Sequence, residues 1–254
     1  MNRFTDKVVI VTGAGSGMGA AVVKRFAREG ARVVLVGRSQ EKLESVAVGL
    51  EPGQSLVHAC DVSDWQAVQA LVARTVEYFG QLDVLVNNAG VVKVGKIDES
   101  SVEDWQQIFN VDVNGVYYGC KAAMPHLIKQ RGCIINVSSV SGLGGDWKMS
   151  AYNAAKGAIS NFTRALALDA GADGVRVNAV CPGPTHSDMT ASMFDDEKLM
   201  AKFAERIPLG RPAEADEVAD VIAFLASHDA RFVTGVNLPV DGGLSASNGQ
   251  PPQN

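Results

Sequence analysis

Three side chains near the middle of the chain have the types and spacing of an acid–base group with two helpers. Tyr152 and Lys156 are four residues apart, so on a helix they share one face and the ammonium can approach the phenol. A nearby cation favours the phenolate and lowers the pKa of tyrosine from its ordinary value of about 10. Ser139 comes thirteen residues before Tyr152 and can donate a hydrogen bond to a substrate oxygen. The pattern predicts proton exchange at Tyr152 near neutral pH.

The size of the required effect constrains Lys156. Lowering the pKa of a phenol by about 3 units takes roughly 4 kcal/mol of differential stabilisation. One exposed lysine does not provide that, so we expect Lys156 to be partly buried and helped by the positive ring of an oxidised nicotinamide. A tyrosine and a lysine at this spacing are common on helices. Their coincidence with Ser139 and with a glycine turn makes the pattern specific.

That glycine turn lies near the start of the chain, in the segment Thr12–Gly19 with the sequence TGAGSGMG. It follows the apolar run Val8–Val11 and precedes a helix-like segment. Glycines allow a tight turn and a close approach of the backbone to a pyrophosphate, whose charge the free N–H groups of a helix start stabilise. The candidate dinucleotide-binding residues here are Gly13, Ser16, Gly17, Met18 and Gly19.

The end of the second strand indicates which dinucleotide binds. A fold that binds NAD places a carboxylate there for the ribose 2′-hydroxyl, but this chain has Gly37, followed by Arg38 and Ser39. A guanidinium and a hydroxyl suit a 2′-phosphate, which favours NADP(H) over NAD(H). If Arg38 is an ordinary solvated turn residue, NAD(H) stays open. Later strand ends add further candidates: Asp61, Val62 and Asn88.

Seven short β-branched runs must position these residues, and helix-sized segments separate them. Runs that are apolar on both faces predict a doubly wound, seven-stranded parallel sheet with helices on both faces, an α/β Rossmann-like fold in a single domain. We expect this domain to span residues 1–244, and residues 245–254 to form a tail that is flexible or lies on a neighbouring subunit. The predicted strands are Val8–Val11, Val33–Val36, Leu56–Ala59, Val84–Val86, Cys133–Val137, Val175–Val180 and Val236–Val240.

Composition excludes several classes of protein. A net charge of -5 without a basic run argues against nucleic acid as a partner. The four cysteines are scattered without metal-ligand spacing, so we expect reduced thiols and no metal. The polar start of the chain is neither a secretory signal nor a membrane span, which predicts a cytoplasmic protein that does not bind membranes.

Together these motifs resemble the short-chain dehydrogenase/reductase family, and they cover nearly all of the chain. The matching segments are Thr12–Gly19, NNAG at Asn87–Gly90, Ser139, YNAAK at Tyr152–Lys156, Asn178, Pro182-Gly183 and the sequence Asp241-Gly242-Gly243. The resemblance implies that Tyr152 is the catalytic acid/base. It also implies that Lys156 orients the nicotinamide ribose and lowers the tyrosine pKa, and that Ser139 positions the substrate.

Further roles also come from the resemblance. It places Pro182 and Gly183 beside the nicotinamide and Thr185 at its carboxamide. It also implies a proton relay through an asparagine at position 112, but this chain has Asp112, which accepts hydrogen bonds and lacks the amide donor. Asp112 is therefore a candidate catalytic residue with an altered role. Ser187 is a second departure, at a position where threonine is more usual.

The substrate and assembly are only outlined by the sequence. Methionines in the segment from Thr185 to Pro212, a lid in the family, suit an apolar ketone or secondary alcohol. The resemblance implies a homotetramer. Residues that could form its faces, or belong to the core, are Tyr117, Tyr118, Cys120, Met124, Ile159, Phe162, Leu166 and Leu168.

The leading hypothesis is NADP(H)-dependent interconversion of a carbonyl and a secondary alcohol. The alternatives are an NAD(H)-dependent secondary-alcohol dehydrogenase, a dinucleotide-binding sensor without turnover, and an epimerase or dehydratase that uses the cofactor transiently.

Overall fold

The computed structural model describes residues 2–250, in which seven strands and nine α-helices alternate along most of the chain. The strands are β1 Val8–Thr12, β2 Arg32–Gly37, β3 Ser55–Ala59, β4 Val84–Asn87, β5 Cys133–Val137, β6 Arg176–Pro182 and β7 Asn237–Val240. The helices are α1 Gly17–Arg28, α2 Gln40–Ala47, α3 Trp65–Phe79, α4 Val102–Ile108, α5 Gly115–Gln130, α6 Ser150–Ala170, α7 Ala191–Phe194, α8 Glu197–Arg206 and α9 Ala215–Ala226. A π-helical segment, Phe109–Asn114, joins α4 to α5.

All pairs of neighbouring strands are parallel, in the order β3-β2-β1-β4-β5-β6-β7. The order reverses between β1 and β4, where the chain crosses from one half of the sheet to the other. At such a switch point the loops beyond the carboxyl ends of the strands diverge and leave a crevice for a ligand. The glycine turn follows β1, and the sequence Asn87-Asn88-Ala89-Gly90 begins at the end of β4.

Two hydrophobic layers cover the sheet, one on each face. Phe26 of α1 and Ile222 of α9 pack with one set of strand side chains, including Val9. Leu71 of α3 and Leu127 of α5 pack with the alternate set. Successive side chains of a strand point to opposite faces, so β-branched runs without polar interruption fill both layers. The predicted doubly wound, single-domain fold is confirmed.

A buried polar ladder ties α6 to the centre of the sheet. Asn87 of β4 donates from Nδ2 to Asn136 Oδ1 of β5 at 2.9 Å. Asn136 in turn donates from Nδ2 to Thr163 Oγ1 of α6 at 2.9 Å. Buried amides are costly without partners, so this ladder fixes where α6 lies on β5. The helix that carries Tyr152 and Lys156 is thereby held against β5, the strand that precedes Ser139.

Several predictions from sequence concern the helices and the C-terminal tail. Ile159 and Cys120 are buried within the chain and belong to its own core, so the suggestion that they could form an assembly face is wrong. Tyr117 and Leu168 are exposed. The proposed tail begins in a short 3₁₀ turn, Leu244–Ala246, and its flexibility stays a prediction; residues 251–254 lie outside the described residues. None of the helices in residues 2–250 is long and apolar enough to cross a membrane.

Candidate active site

The turn after β1 uses glycine where a larger residue could not fit. Gly13 and Gly17 have positive φ angles of 67° and 50°, in the left-handed region that favours glycine. A Cβ on Gly19 would lie 2.7 Å from both the Gly13 carbonyl carbon and Asn88 Nδ2, and closer still to the Gly13 oxygen. Helix α1 begins at Gly17 with Ser16 as its N-cap residue, whose side chain makes no capping bond. The first N–H groups of α1 are thus left facing a close-packed loop that can receive a phosphate.

Asn88 locks the loop after β4 to this turn. Its Nδ2 donates to Thr12 O at 2.9 Å and to Gly13 O at 3.3 Å, and the backbone N–H groups of Asn88 and Ala89 donate to Thr12 Oγ1 at 2.9 and 3.0 Å. The remaining side-chain oxygen, Asn88 Oδ1, is buried without a hydrogen-bond partner in the protein. A buried acceptor of this kind is normally satisfied, so it suits a ligand donor group.

A cleft of about 360 Å³ runs along the switch point. Ten of the predicted dinucleotide-binding residues line it: Gly13, Ser16, Gly17, Met18, Gly19, Arg38, Ser39, Asp61, Val62 and Asn88. Ser39 is the N-cap of α2 and accepts from Lys42 N at 3.4 Å. The pKa of Asp61 is lowered, first by hydrogen bonding from Ser63 and also by the charge of Arg38. One end of the cleft is thus built from cations and a helix start, and the glycine turn forms its floor.

Gly90 lines this cleft, and the candidate acid–base residues lie behind it. A Cβ on Gly90 would lie 3.4 Å from Lys156 Nζ and 3.0 Å from Asp112 Oδ2. Lys156 Nζ lies 5.5 Å from the centroid of the Tyr152 ring, as the spacing on one helix face predicts. It donates to Val137 O at 3.0 Å, at the end of β5 just before Ser139. The expected burial of Lys156 is confirmed, with a side chain only 4% exposed.

The Lys156 ammonium lowers the pKa of Tyr152, as the spacing predicts, but all the groups of this chain together leave that pKa above its ordinary value. Burial raises the pKa of Tyr152 above its ordinary value. The Lys156 ammonium and the Ser139 hydroxyl lower it, but the carboxylates of Asp112 and Asp146 raise it again. Desolvation of the phenolate is the largest of these effects and outweighs the Lys156 cation, and the two carboxylates add to it.

That carboxylate belongs to Asp112 in the π-helical segment. Asp112 Oδ2 lies 3.1 Å from Lys156 Nζ, and the Asp112 side chain is completely buried. Asp112 Oδ1 accepts from Val91 N at 2.8 Å. The structure thus brings the fourth predicted residue to the same point as Tyr152 and Lys156, as an ion-pair partner of the lysine.

Ser139 heads a short hydrogen-bonded chain. Its hydroxyl donates to Ser141 Oγ at 3.1 Å, and Ser141 donates in turn to Asp146 Oδ2. A carboxylate only accepts hydrogen bonds, so Asp146 fixes the direction of the chain and keeps Ser139 a donor. Neither Ser141 nor Asp146 was predicted from the sequence, although an aspartate shortly after the serine was a usable signal.

The three residues predicted at the nicotinamide end lie at the carboxyl end of β6, the strand beside β5, which precedes Ser139. Pro182 ends the strand, and a Cβ on Gly183 would lie 2.9 Å from Asp241 Cβ. Thr185 is buried and donates from Oγ1 to Gly183 O at 3.0 Å. They share the carboxyl edge of the sheet with the acid–base residues, but they do not line the cleft that the glycine turn forms.

Sequence reasoning also missed Lys42, which lines the cationic end of the cleft and forms an ion pair of 3.5 Å with Asp188. Its place in the first turn of α2, four residues after Arg38, was a usable signal. Ser187 and Met189 line the cleft from the segment that follows β6. Nothing in the local sequence indicates that contact, which depends on the path of the loop.

The chain is similar to known oxidoreductases over nearly all of its length. The family model described as Enoyl-(Acyl carrier protein) reductase matches residues 13–245. The meso-2,3-butanediol dehydrogenase of Serratia marcescens is 52% identical over 98% of each chain. The trans-4-hydroxycyclohexanecarboxylate dehydrogenase of Sinomonas cyclohexanicum is 38% identical, covering 97% of this chain and 96% of its own. The ligand-free aldohexose dehydrogenase of Thermoplasma acidophilum superposes with a TM-score of 0.89 at 34% identity, over 98% of each chain.

Proposed function

The chain belongs to the short-chain dehydrogenase/reductase family, and on that premise we propose that it interconverts a small ketone and the corresponding secondary alcohol with NADP(H), using Tyr152 as proton donor and acceptor. Its membership makes it a nicotinamide-dependent oxidoreductase. The choice of dinucleotide, the substrate and the roles of individual residues are the parts that we propose here.

One observation supports the proposal above the others. Tyr152, Lys156 and Ser139 come together at the carboxyl edge of the sheet, and only the backbone of Gly90 separates Lys156 from the dinucleotide cleft. A substrate oxygen at this point would meet the Tyr152 phenol and the Ser139 hydroxyl, while its carbon faced the cleft. The reaction moves a proton at the substrate oxygen and a hydride at the carbon bonded to it, so the acid–base group and the dinucleotide must lie on either side of that bond.

The residues of the cleft fit a dinucleotide. Gly19 allows a close approach of the backbone, which suits a pyrophosphate. The unpartnered oxygen of Asn88 suits the ribose beside it. The chemistry supplied by a bound nicotinamide dinucleotide is the transfer of a hydride to or from the substrate carbon. Its positive ring in the oxidised form would also favour the Tyr152 phenolate, against the burial that opposes it.

The proton steps belong to the chain itself. In reduction, Ser139 donates a hydrogen bond to the carbonyl oxygen while Tyr152 Oη gives up its proton to that oxygen. In oxidation, the Tyr152 phenolate takes the proton of the alcohol. Lys156 stays on Val137 O throughout and stabilises the phenolate through its positive charge. Ser139 has one hydroxyl hydrogen, which it gives to Ser141 Oγ in this structure, so the hydroxyl turns from Ser141 to the carbonyl oxygen when the substrate binds.

The proposed preference for NADP(H) rests on the cations at one end of the cleft. Arg38 and Lys42 line that end with the start of α2, and a 2′-phosphate would carry the matching negative charge. A Gly37→Asp change should reverse the preference by repelling the phosphate, since a Cβ there would lie at ordinary contact distance, 3.4 Å from Leu43 Cδ2.

The measurement is kcat/KM with NADPH and with NADH for wild type, Gly37→Asp and the matched control Gly49→Asp, whose added Cβ has nothing within 4 Å. We expect at least about a tenfold loss of NADPH preference in Gly37→Asp only, or about 1.4 kcal/mol. An NADPH advantage that survives Gly37→Asp unchanged, or a wild type that prefers NADH, contradicts the cofactor argument.

For the substrate, the relative at 52% identity gives the first compound to test. Oxidation of one carbinol of 2,3-butanediol yields 3-hydroxybutan-2-one, a small ketone consistent with the proposed class. Met189 lies over the cleft, and neither α7 nor α8 contains a buried side chain. Such weakly packed helices are suited to act as a lid that opens for substrate.

The acid–base role is tested by Tyr152→Phe, which removes only the hydroxyl, against Tyr78→Phe on the exposed face of α3. Turnover, followed by the absorbance of the reduced dinucleotide, should fall by about 10²–10⁴-fold in Tyr152→Phe, while dinucleotide affinity stays close to that of wild type. Tyr78→Phe should behave as wild type. Comparable turnover by both variants removes the role assigned to Tyr152.

The sensor alternative has less support, because Ser139, Tyr152 and Lys156 lie together at the carboxyl edge of the sheet and the relatives are named as dehydrogenases. We also propose a homotetramer, supported by the exposed Tyr117 and Leu168 on α5 and α6. Sedimentation of the purified protein checks this, and a monomer at micromolar concentration contradicts it.

A further inference from the structure

The buried ion pair of Asp112 and Lys156 gives the acid–base site an unusual charge balance. The Lys156 ammonium has two partners in the protein, Val137 O at 3.0 Å and Asp112 Oδ2 at 3.1 Å. Asp112 Oδ1 accepts from Val91 N, and Asp112 Oδ2 faces Lys156 Nζ as an ion pair without the geometry of a hydrogen bond. A carboxylate fits both neighbours because each of its oxygens carries negative charge. An amide would direct its NH₂ group towards one of them.

The pair is held in place by backbone on three sides. The π-helical segment Phe109–Asn114 carries Asp112, Gly90 lies against both charges, and β5 supplies the carbonyl of Val137. The two side chains are 0% and 4% exposed, so solvent does not screen them. Burial alone lowers the pKa of Lys156, but Asp112 and Tyr152 outweigh it and raise that pKa. Lys156 therefore keeps its proton, and the buried carboxyl group of Asp112 lies beside its charge.

We propose that Asp112 is a positioning carboxylate that cancels most of the positive charge of Lys156 at the Tyr152 phenol, so that Tyr152 holds its proton more firmly than a neutral side chain at position 112 would allow. The inference rests on the proposed acid–base role of Tyr152. It gives position 112 a charge-setting role in this chain, and it biases the free enzyme towards the protonated phenol, the form that carbonyl reduction requires.

Other charged or titratable groups near the phenol do not replace Asp112. Asp146, in the loop before α6, also raises the pKa of Tyr152, but its side chain is exposed and bonded to Ser141. The Cys181 thiol of β6 faces Lys156, and burial raises its own pKa, which keeps it neutral. Asp112 is thus the fully buried carboxylate of this set.

The test is a pH titration of Tyr152 in the purified protein without substrate, in wild type, Asp112→Asn and the control Asp98→Asn, which removes an exposed carboxylate by the same change. The near-ultraviolet absorbance of tyrosinate is recorded, and the signal of the other three tyrosines is subtracted with the corresponding Tyr152→Phe proteins. We expect Asp112→Asn to move the ionisation of Tyr152 to lower pH by about one unit, or about tenfold more phenolate at a given pH, and Asp98→Asn to leave it unchanged.

A second readout is the pH profile of turnover in both directions. In Asp112→Asn the rising limb of oxidation and the falling limb of reduction should both move to lower pH by the same amount, whereas a merely structural defect would lower the rates without moving the limbs. Asp112→Ser, which is smaller, replaces Asp112→Asn if the latter does not fold by circular dichroism.

The inference is overturned if wild type and the Asp112 variant have the same tyrosinate titration and the same pH limbs of turnover. A titration in which Tyr152 ionises in neither protein before unfolding counts as the same titration. A protein without any turnover that still shows the shift in tyrosinate would contradict the proposed function and leave the charge-setting role of Asp112 in place.

Discussion

Replacing Gly19 with alanine should destabilise the protein even though the position is inside a helix. In a helix interior, alanine is normally more favourable than glycine by about 1 kcal/mol. At Gly19 the added Cβ would overlap the Gly13 carbonyl group and lie 2.7 Å from Asn88 Nδ2. Backbone atoms cannot yield as the end of a flexible side chain can, so the turn and the loop after β4 must move apart.

The expected magnitude follows from these contacts. Overpacking of a tight site costs about 1–3 kcal/mol, and the Asn88 amide stands to lose hydrogen bonds to Thr12 O and Gly13 O worth about 1 kcal/mol each. After the helix-propensity gain is subtracted, the free energy of unfolding should fall by about 2–4 kcal/mol. For a chain of this size that lowers Tm by roughly 4–16 °C. Displacement of the Gly13 carbonyl should also weaken dinucleotide binding by at least about tenfold.

Gly157→Ala is the matched control, because Gly157 lies inside α6 and a Cβ there would have nothing within 4 Å. It should raise the free energy of unfolding by about 0.5–1 kcal/mol and leave dinucleotide binding unchanged. Thermal unfolding and quenching of protein fluorescence by NADPH measure the two quantities. If Gly19→Ala proves as stable as wild type and binds NADPH equally well, the account of the glycine turn as a close-packed phosphate loop is refuted.

Three further predictions concern the rest of the chain. Arg3 and Arg25 hold the pKa of Glu29 below its ordinary value, so the stability from these ion pairs should be present above about pH 4.3 and be lost as pH falls through the lowered pKa. Glu29→Gln should flatten this acid limb of a Tm-against-pH curve, and an unchanged limb would contradict the assignment. Phe26→Ala empties a fully buried site beside Phe4 and should cost about 3–5 kcal/mol in denaturant unfolding, whereas a loss under 1 kcal/mol would mean that the site collapses. The four cysteines are buried, and burial raises the pKa of Cys60 and Cys133 to about 11. Iodoacetamide at pH 7 should therefore label the thiols slowly until urea is added, and rapid labelling of the folded protein would show that the cleft beside Cys60 opens.

Much of the fold follows from local sequence. The apolar runs around Val9, Val34 and Ile135 are uninterrupted because parallel strands covered on both faces have no polar side, and the structure places a strand at each of them. The glycine turn also follows from sequence, since glycine adopts the positive φ angles of Gly13 and Gly17 at no steric cost. The four-residue spacing of Tyr152 and Lys156 placed them on one helix face for the same kind of local reason.

The charge state of the site was decided by tertiary structure. The tyrosine–lysine spacing indicated a cation beside the phenol, but the sequence did not show that Asp112 lies 3.1 Å from that cation, or that burial outweighs it. Asp112 reaches Lys156 from a π-helical segment forty-four residues earlier, and a pKa depends on every charge within a few ångströms whatever its position in the chain. Helix and strand periodicity are local and can be predicted from sequence, whereas electrostatic balance depends on contacts that only the folded chain makes.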